Sequence, residues 1–180
     1  MVKLGSKLKV KKVKIGILGG SFDPAHKGHL AISKEALKRF HLKTVIWAVT
    51  NQNPFKEKSV NNLKKRIAHS KKIIGINKLI KVKFFEDIIN SNKTADLINH
   101  LSKNKKYDLF FLMGADNLIN FHKWHKWRQI LKKSNVIVFD RNGYKKKSLN
   151  SKTYKGSNEK HVTFVEFNKV NISSSKLRKI

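Results

Sequence analysis

Short runs of β-branched and aromatic residues alternate along this chain with longer segments that have a helical period. The runs typical of strands are Val13–Leu18, Val45–Val49, Ile80–Phe85, Leu109–Met113, Val136–Phe139 and Val162–Phe167. Strands that alternate with helices form βαβ units, which build a parallel sheet with right-handed crossovers. The sequence therefore predicts an α/β fold: an open parallel sheet with helices on both faces.

The segments between these runs space their apolar residues so that one face of a helix can be buried. The predicted helices are Lys27–Phe40, Leu63–Ile74, Thr94–Leu101, Asn117–Leu131 and a final turn at Ser173–Lys179. Gly143–Asn158 contains many lysines and few apolar residues, and we expect a mobile loop there. Open parallel sheets bind ligands at the carboxyl ends of their strands, so the loops that follow the strands should carry the chemistry.

The chain has 180 residues, which is enough for one domain with its own core. We predict a basic leader at residues 1–12 and a single domain at residues 13–180. There is no cysteine, which excludes disulfides and thiolate metal sites. No run approaches the roughly 20 apolar residues of a membrane helix, and the leader lacks the apolar core of a signal peptide. We therefore expect a cytoplasmic protein without a membrane partner.

The formal net charge of +30 comes almost wholly from lysine. A positive field attracts polyanions and speeds the arrival of nucleotides. The lysines are spread along the whole chain, however, with many Asn and Ile residues, a pattern that AT-rich codon usage produces on tolerant surfaces. We expect no obligate nucleic-acid partner, although a non-enzymatic nucleic-acid-binding protein remains an alternative.

The segment after the first predicted strand carries the strongest chemical signal. Gly19 and Gly20 let the backbone approach a ligand and offer amide hydrogens without an intervening Cβ. The amino terminus of the following helix, an anion site, is directed at the same point. His26 and His29 lie three residues apart at that helix start, so both imidazoles can face one phosphate. Each feature alone is also common in turns and on surfaces, and the segment matches neither G-x-G-x-x-G nor G-K-S/T.

As a whole, the string GGSFDPAHKGH at residues 19–29 resembles the signature of the HxGH nucleotidyltransferases. Within them the chain is most similar to the bacterial nicotinate-nucleotide adenylyltransferases, over residues 14–178. The resemblance implies a Rossmann-like nucleotidyltransferase fold with His26 and His29 as catalytic residues. It also implies that AMP passes from ATP to nicotinate mononucleotide in NAD biosynthesis, giving nicotinate adenine dinucleotide and pyrophosphate.

Further segments match the motifs of this family in the expected order. Asn53-Pro54-Phe55-Lys56 resembles its Asn-Pro-x-Lys loop, Thr94-Ala95-Asp96 its Thr-x-Asp step, and Gly114-Ala115-Asp116 its Gly-x-Asp segment. Residues 173–178 resemble its carboxyl-terminal Ser-Ser-x-x-x-Arg motif. The resemblance implies ATP contacts at Gly19, Gly20, Ser21, Phe22, Lys56, Gly114, Asp116, Ser173, Ser174 and Arg178. For nicotinate mononucleotide it implies contacts at Thr94, Trp124 and His125, with the Trp124 indole stacked on the pyridine ring.

Two positions depart from the family pattern: Phe55 stands where many members have His, and Lys93 where Tyr is commoner. The motifs leave two related acceptors open, nicotinamide mononucleotide and phosphopantetheine. We predict no metal site in the protein, because His122 and His125 lack a third ligand and Asp and Glu number only 11. Mg²⁺ should instead arrive bound to ATP.

Overall fold

The computed structural model describes residues 11–52, 59–156 and 161–166. Six strands lie within these residues: β1 (Val13–Gly20), β2 (Thr44–Val49), β3 (Ile80–Phe84), β4 (Tyr107–Gly114), β5 (Asn135–Phe139) and β6 (Val162–Val165). All neighbouring strands pair in parallel, in the order β3-β2-β1-β4-β5-β6. The chain first builds outwards from β1 to β3 and then returns to place β4 beside β1. The topological switch point, where open α/β sheets bind ligands, therefore lies between β1 and β4.

The connections between the strands contain eight described α-helices and one 3₁₀ helix. The α-helices are α1 (Lys27–Arg39), α2 (Leu63–Ile74), α3 (Glu86–Ile89), α4 (Thr94–Ser102), α5 (Ala115–Ile119), α6 (Trp127–Lys133), α7 (Lys145–Leu149) and α8 (Lys152–Gly156). The 3₁₀ helix is Phe121–Lys123. The periodicity of the sequence predicted α2 with the observed bounds. The four-residue α3 was not predicted.

Both faces of the sheet are buried, because consecutive residues of each strand point to opposite sides. On one face Ile17 packs in a core cluster with Leu118 of α5 and Ile130 of α6. On the other face Leu18 packs in a second cluster with Ala36 of α1 and Ile74 of α2. The predicted α/β fold, an open parallel sheet with helices on both faces, is confirmed.

The predicted helix Asn117–Leu131 is wrong, because the structure breaks this segment into α5, the 3₁₀ helix and α6. The break lies at Trp124, whose backbone is extended, and at Lys126, which has a φ of 47° in the left-handed region. The break sets Trp124 beside a pocket instead of on a continuous helix. Tertiary packing around Trp124 has thus overridden the helical pattern of the sequence.

The predicted mobile loop Gly143–Asn158 is also wrong over most of its length. It contains α7 and α8, and each helix buries one polar side chain, Ser148 in α7 and Thr153 in α8. Residues 157 and 158 lie outside the described residues, as do Phe167 of the predicted sixth strand and the predicted turn Ser173–Lys179. The division into a leader and one domain stays a prediction.

Candidate active site

The loop after β1 brings two histidines together at the start of α1. His26 is the N-cap residue, and its Nδ1 accepts a hydrogen bond from the backbone N–H of Gly28 at 3.1 Å. In return, His29 Nδ1 accepts a hydrogen bond from the backbone N–H of His26 at 3.2 Å. The ring centroids lie 3.8 Å apart. This reciprocal capping box fixes both rings at the positive end of a helix.

The capping contacts also determine where each neutral imidazole carries its hydrogen. A ring nitrogen that accepts a hydrogen bond from a backbone amide carries no proton, so the hydrogen of each neutral ring lies on Nε2. His26 and His29 each hold the tautomer that donates from Nε2. Two such donors at a helix amino terminus suit the oxygens of a phosphate group.

An aromatic stack supports His29 from the core. The Phe22 ring is 2% exposed and stacks on Trp47, with centroids 5.0 Å apart and planes 9° apart. It also lies 4.8 Å from the His29 ring. Trp47 Nε1 donates to Ser33 Oγ at 2.7 Å, and Ser33 Oγ donates to the His29 carbonyl at 2.8 Å. Buried contacts therefore fix both the ring and the main chain of His29, and the Phe22 side chain serves as part of that support.

Arg66 of α2 holds three loops together from below the site. Its side chain is buried, and its guanidinium donates to the carbonyl oxygens of Ser21 (2.6 Å), Thr50 (2.8 Å), Asn51 (2.9 Å) and Asn61 (2.9 Å). Ser21 follows β1, and Thr50 and Asn51 follow β2. One planar cation thus sets the relative position of the carboxyl ends of two neighbouring strands.

Two carboxylates lie in the electrostatic surroundings of Arg66. Burial lowers the pKa of Arg66, and the negative charges of Asp23 and Glu86 oppose that shift. Asp23 is 1% exposed and accepts hydrogen bonds from the backbone N–H of Val60 (2.7 Å) and from Asn61 Nδ2 (2.8 Å). It ties the histidine loop, residues 21–26 between β1 and α1, to the residues that lead into α2.

A pocket of about 430 Å³ opens beside this loop, at the carboxyl ends of β1, β2 and β3. It brings together five of the predicted site residues: Gly19, Gly20, Thr94, Trp124 and His125. Its apolar wall includes Ala48, Val49, Phe85, Ile89, Leu97 and Phe111. Its other polar side chains include Thr50, Glu86, Lys93 and Lys123. The size and the apolar wall suit a small ligand with a flat ring.

Trp124 forms one wall of this pocket and is held by two other aromatic rings. Its ring plane is inclined by 69° to that of Phe111 and by 65° to that of Phe121, with centroids 6.2 Å and 5.3 Å away. These edge-on contacts hold the half-buried indole in one orientation. An indole held at the edge of an apolar pocket can stack on a pyridine ring.

A second polar cluster lies at the carboxyl ends of β4 and β5. The Asp116 carboxylate pairs with Arg141, which follows β5. A Cβ on Gly114 would lie 2.6 Å from Asp116 Oδ1, so any other residue here would displace the carboxylate from its place over the strand end. The guanidinium of Arg141 lies 5.7 Å from the Tyr144 ring. The predicted Gly-x-Asp segment is therefore an ordered, charged cluster next to the switch point.

The predicted site residues fall into four groups. The pocket contains the five named above, whereas Ser21, His26, His29, Gly114 and Asp116 lie outside its lining, between β1 and the start of α1 or between the end of β4 and α5. Phe22 lines a smaller cavity of about 230 Å³ together with Asp23 and Arg66. Lys56, Ser173, Ser174 and Arg178 lie outside the described residues.

Two residues that shape the site, Arg66 and Glu86, were not predicted from the sequence. Glu86 accepts a hydrogen bond from the Thr50 hydroxyl and another from the backbone N–H of Asn51 at 3.0 Å, and it lines the pocket. A usable signal existed for Arg66. It is an arginine in a lysine-rich chain, and it shares the buried face of α2 with Ser70 and Ile74 at four-residue spacing.

Neither a metal cluster nor a membrane span was found in the described part of the chain. No three or more His, Asp or Glu side chains there are grouped so as to hold a metal ion. No described helix is long and apolar enough to cross a bilayer.

Comparison with known proteins shows the broad class of protein to which the chain belongs. A family profile described as "Cytidylyltransferase-like" matches residues 17–180. The fold is similar to that of "Plasmodium falciparum nicotinic acid mononucleotide adenylyltransferase complexed with NaAD", with a TM-score of 0.76 and 20% identity, over 93% of this chain and 83% of that one. The fold, the site and the profile together define a cytidylyltransferase-like nucleotidyltransferase.

Closer relatives narrow the class. A protein of Pelagibacter ubique (strain HTCC1062), named "Probable nicotinate-nucleotide adenylyltransferase", is 63% identical over 180 residues, which is 100% of both chains. A protein of Ruegeria sp. (strain TM1040) with the same name is 41% identical over 130 residues, 72% of this chain and 68% of that protein. The chain belongs to the nicotinate-nucleotide adenylyltransferase family, and the resemblance seen in its motifs is confirmed.

Proposed function

We propose that this protein transfers AMP from ATP to nicotinate mononucleotide, giving nicotinate adenine dinucleotide and pyrophosphate in NAD biosynthesis. The observation that carries the proposal is the capped pair His26 and His29, which sits at the switch point of the sheet beside a pocket walled by Trp124. The pair provides donors for phosphate oxygens, and the pocket provides a place for a flat ring. Family membership supports the same reaction.

In this reaction a phosphate oxygen of nicotinate mononucleotide attacks the α-phosphorus of ATP. A new P–O bond forms as the bond between the α-phosphorus and the bridging oxygen to the β-phosphate breaks, and pyrophosphate leaves with that oxygen. The attacking phosphate is already largely an anion at neutral pH, because its second pKa lies near ~6. No general base is needed, so catalysis depends on positioning and on stabilising the developing negative charge.

We assign that stabilisation to His26 and His29, whose Nε2–H groups donate to the α- and β-phosphate oxygens as charge builds there. Gly19 and Gly20 leave room for the backbone to approach the phosphates, and Ser21 and Phe22 continue that loop. The Asp116 cluster, with Gly114, lies on the adenosine side. Thr94, Trp124 and His125 hold the pyridine side.

Four further roles fall on residues outside the described structure and follow from the family motifs alone. Lys56 and Arg178 clamp the leaving pyrophosphate, and Arg178 can do so through two parallel hydrogen bonds. Ser173 and Ser174 add hydroxyl contacts to the ATP phosphates.

Mg²⁺ enters as part of the MgATP substrate and neutralises charge on the phosphates. A cytoplasmic location also stays a prediction.

The test is release of pyrophosphate from ATP and Mg²⁺ with three acceptors offered in parallel: nicotinate mononucleotide, nicotinamide mononucleotide and phosphopantetheine. We expect the highest kcat/KM with nicotinate mononucleotide. A preference for either other acceptor would retain adenylyl transfer but contradict the proposed substrate. If the folded protein released pyrophosphate with none of them and instead bound polynucleotides with a steep salt dependence, the nucleic-acid alternative would replace this function.

A further inference from the structure

The two pyridine mononucleotides differ in one substituent of the ring, a carboxylate in one and an uncharged carboxamide in the other. The ring pocket has an apolar wall that includes Phe85, Leu97 and Phe111. A carboxylate that enters such a pocket loses hydration, which costs free energy unless a positive charge and hydrogen bonds replace it. A pocket that favours the acid therefore needs hydrogen-bond donors or a positive charge near the ring, and a cation would favour the acid over the uncharged amide.

Few of the side chains that line the pocket can supply this charge. Among the described residues, the lining contains two lysines, Lys93 and Lys123, and His125 as a third basic side chain. Lys123 and His125 are exposed to solvent, whereas Lys93 is half-buried. An ammonium group that is partly shielded from water interacts more strongly with an anion than one that is fully hydrated. This difference favours Lys93.

The Lys93 ammonium is also available for a ligand. It forms no ion pair with any carboxylate in the part of the chain that the structure describes. Glu86, the carboxylate of the pocket, accepts hydrogen bonds from Thr50 and Asn51 instead. Within the described ranges, the lining thus contains one lysine that is partly buried and has no carboxylate partner.

The backbone of Lys93 is fixed without any help from its side chain. Its N–H donates to Ser91 Oγ at 3.1 Å, and its carbonyl accepts from the N–H groups of Asp96 (3.1 Å) and Leu97 (3.2 Å) at the start of α4. Lys93 is the N-cap residue of α4, yet its side chain makes no capping hydrogen bond. Replacing that side chain should therefore leave the helix and the neighbouring Thr94 in place.

From this geometry we propose that the Lys93 ammonium pairs with the carboxylate of the nicotinate ring and so makes the pocket selective for the acid over the amide. The proposal rests on the proposed function, because it assumes that the pocket holds the pyridine ring of the acceptor. It assigns acid–amide discrimination to a side chain at a position where the family more often has tyrosine.

The experiment compares the wild-type protein with Lys93→Met, Lys93→Arg and the control Lys81→Met. Lys81 is an exposed lysine of the edge strand β3 and lies outside the pocket lining. kcat/KM is measured for nicotinate mononucleotide and for nicotinamide mononucleotide. In Lys93→Met we expect kcat/KM for the acid to fall by about 10- to 100-fold, the scale of a lost charge-assisted hydrogen bond, with little change for the amide. Lys93→Arg should retain most of the selectivity, and Lys81→Met should not alter it.

A fall of the same size for both acceptors would overturn the proposal, because Lys93 would then act on a shared part of the substrate or on the fold. An unchanged ratio in Lys93→Met would overturn it as well. Equilibrium binding of the two mononucleotides, followed by tryptophan fluorescence, gives the same comparison without turnover. Failure of the proposed function would appear separately, as a wild-type protein that binds nicotinate mononucleotide but forms no dinucleotide.

Discussion

At the scale of single residues, His26 and His29 each have two nitrogens with different tasks. The Nδ1 atoms cap the backbone of α1, and this leaves the Nε2–H groups as the donors that we assign to phosphate oxygens. A substitution that keeps the Nδ1 acceptor but removes the Nε2–H donor can therefore separate the capping role from the catalytic role.

We predict that His29→Ala lowers kcat by about 10²- to 10³-fold, the effect of one lost transition-state donor. His29→Asn should be as inactive, because its side-chain oxygen can replace the Nδ1 acceptor, whereas its shorter amide N–H₂ does not reach the position of Nε2–H. Steady-state kinetics of both variants, with circular dichroism to check folding, measures this. The exposed His161 provides the control variant His161→Ala, which should keep wild-type turnover. Near-normal turnover in His29→Asn would show that His29 is needed only as a cap.

For Trp124→Ala we predict a KM for nicotinate mononucleotide that rises by about tenfold or more, with a nearly unchanged KM for ATP. The reason is the loss of ring stacking, which is worth about 1–3 kcal/mol per base on aromatic platforms. Trp127→Ala removes an indole that packs against Phe121 outside the pocket lining, and it should leave both KM values unchanged. A rise in the KM of ATP alone would mean that Trp124 contacts ATP instead of nicotinate mononucleotide.

How far each site residue could be predicted from the sequence depends on where its contacts lie along the chain. The glycine and histidine loop was found because its parts are contiguous and the capping partners are at most three residues apart. Arg66 and Glu86 were missed because their contacts reach 45 residues back to Ser21 and 35 residues back to Asn51. No local pattern contains such a pair, and only the parallel sheet brings its members together.

At the scale of elements, the carboxyl ends of β1 and β2 are held together by the side chain of Arg66. Four carbonyl oxygens accept hydrogen bonds from its buried guanidinium. Removing the cation leaves these acceptors without their donor in a region that water reaches poorly. The free energy of unfolding should therefore fall, and the loop after β1 should lose its shape.

We therefore predict that Arg66→Met lowers the free energy of unfolding by about 2–5 kcal/mol, the cost of breaking a buried charged network. Urea denaturation measures this directly. The neighbouring Lys64 is exposed, so Lys64→Met removes the same charge as a control and should change stability by less than about 0.5 kcal/mol. Equal stability of the two variants would mean that the carbonyl groups find other donors.

The two glycines of β1 at positions 16 and 19 should respond differently to alanine. A Cβ on Gly16 would meet Leu42 Cδ1 at 2.8 Å and Val45 Cγ2 at 2.9 Å, so Gly16→Ala should cost about 1–3 kcal/mol of stability through overpacking. A Cβ on Gly19 would meet only Phe111 Cε2, at 3.8 Å, an ordinary contact. Gly19→Ala should therefore fold normally but bind substrate worse, because the new methyl group enters the pocket lining.

Thermal unfolding and the KM values for both substrates separate these outcomes. A Gly19→Ala protein with normal KM values would mean that no ligand approaches this strand end. A Gly16→Ala protein as stable as the wild type would mean that Leu42 and Val45 move aside freely.

Helix prediction failed where tertiary contacts decided the backbone. The segment around Trp124 has an unbroken helical pattern, yet Lys126 takes a left-handed conformation and α6 begins at Trp127. The lysine-rich segment after β5 lacks an apolar face, and the side chains that its helices bury include hydroxyl-bearing residues such as Ser148. Periodicity of apolar residues cannot reveal either arrangement.

At the scale of the whole molecule, the strand order places the two parts of the proposed ATP site on neighbouring strands. The histidine loop follows β1, the Asp116 cluster follows β4, and these strands are adjacent although α1–α4 separate them in the sequence. The net charge of +30 adds a field that attracts anions, and both ATP and a mononucleotide are anions. The positive charge thus helps to attract the substrates, and the strand order positions them.

The proposed reaction moves AMP from ATP to nicotinate mononucleotide at this site. The most direct measurement uses ATP radiolabelled at the α-phosphorus, with Mg²⁺ and nicotinate mononucleotide, followed by chromatographic separation of the products. Label should appear in nicotinate adenine dinucleotide and not in pyrophosphate, and formation of the labelled product should be lost in His29→Asn. Label that stayed in ATP, or that appeared only in ADP or free AMP, with a folded protein would contradict the proposed reaction.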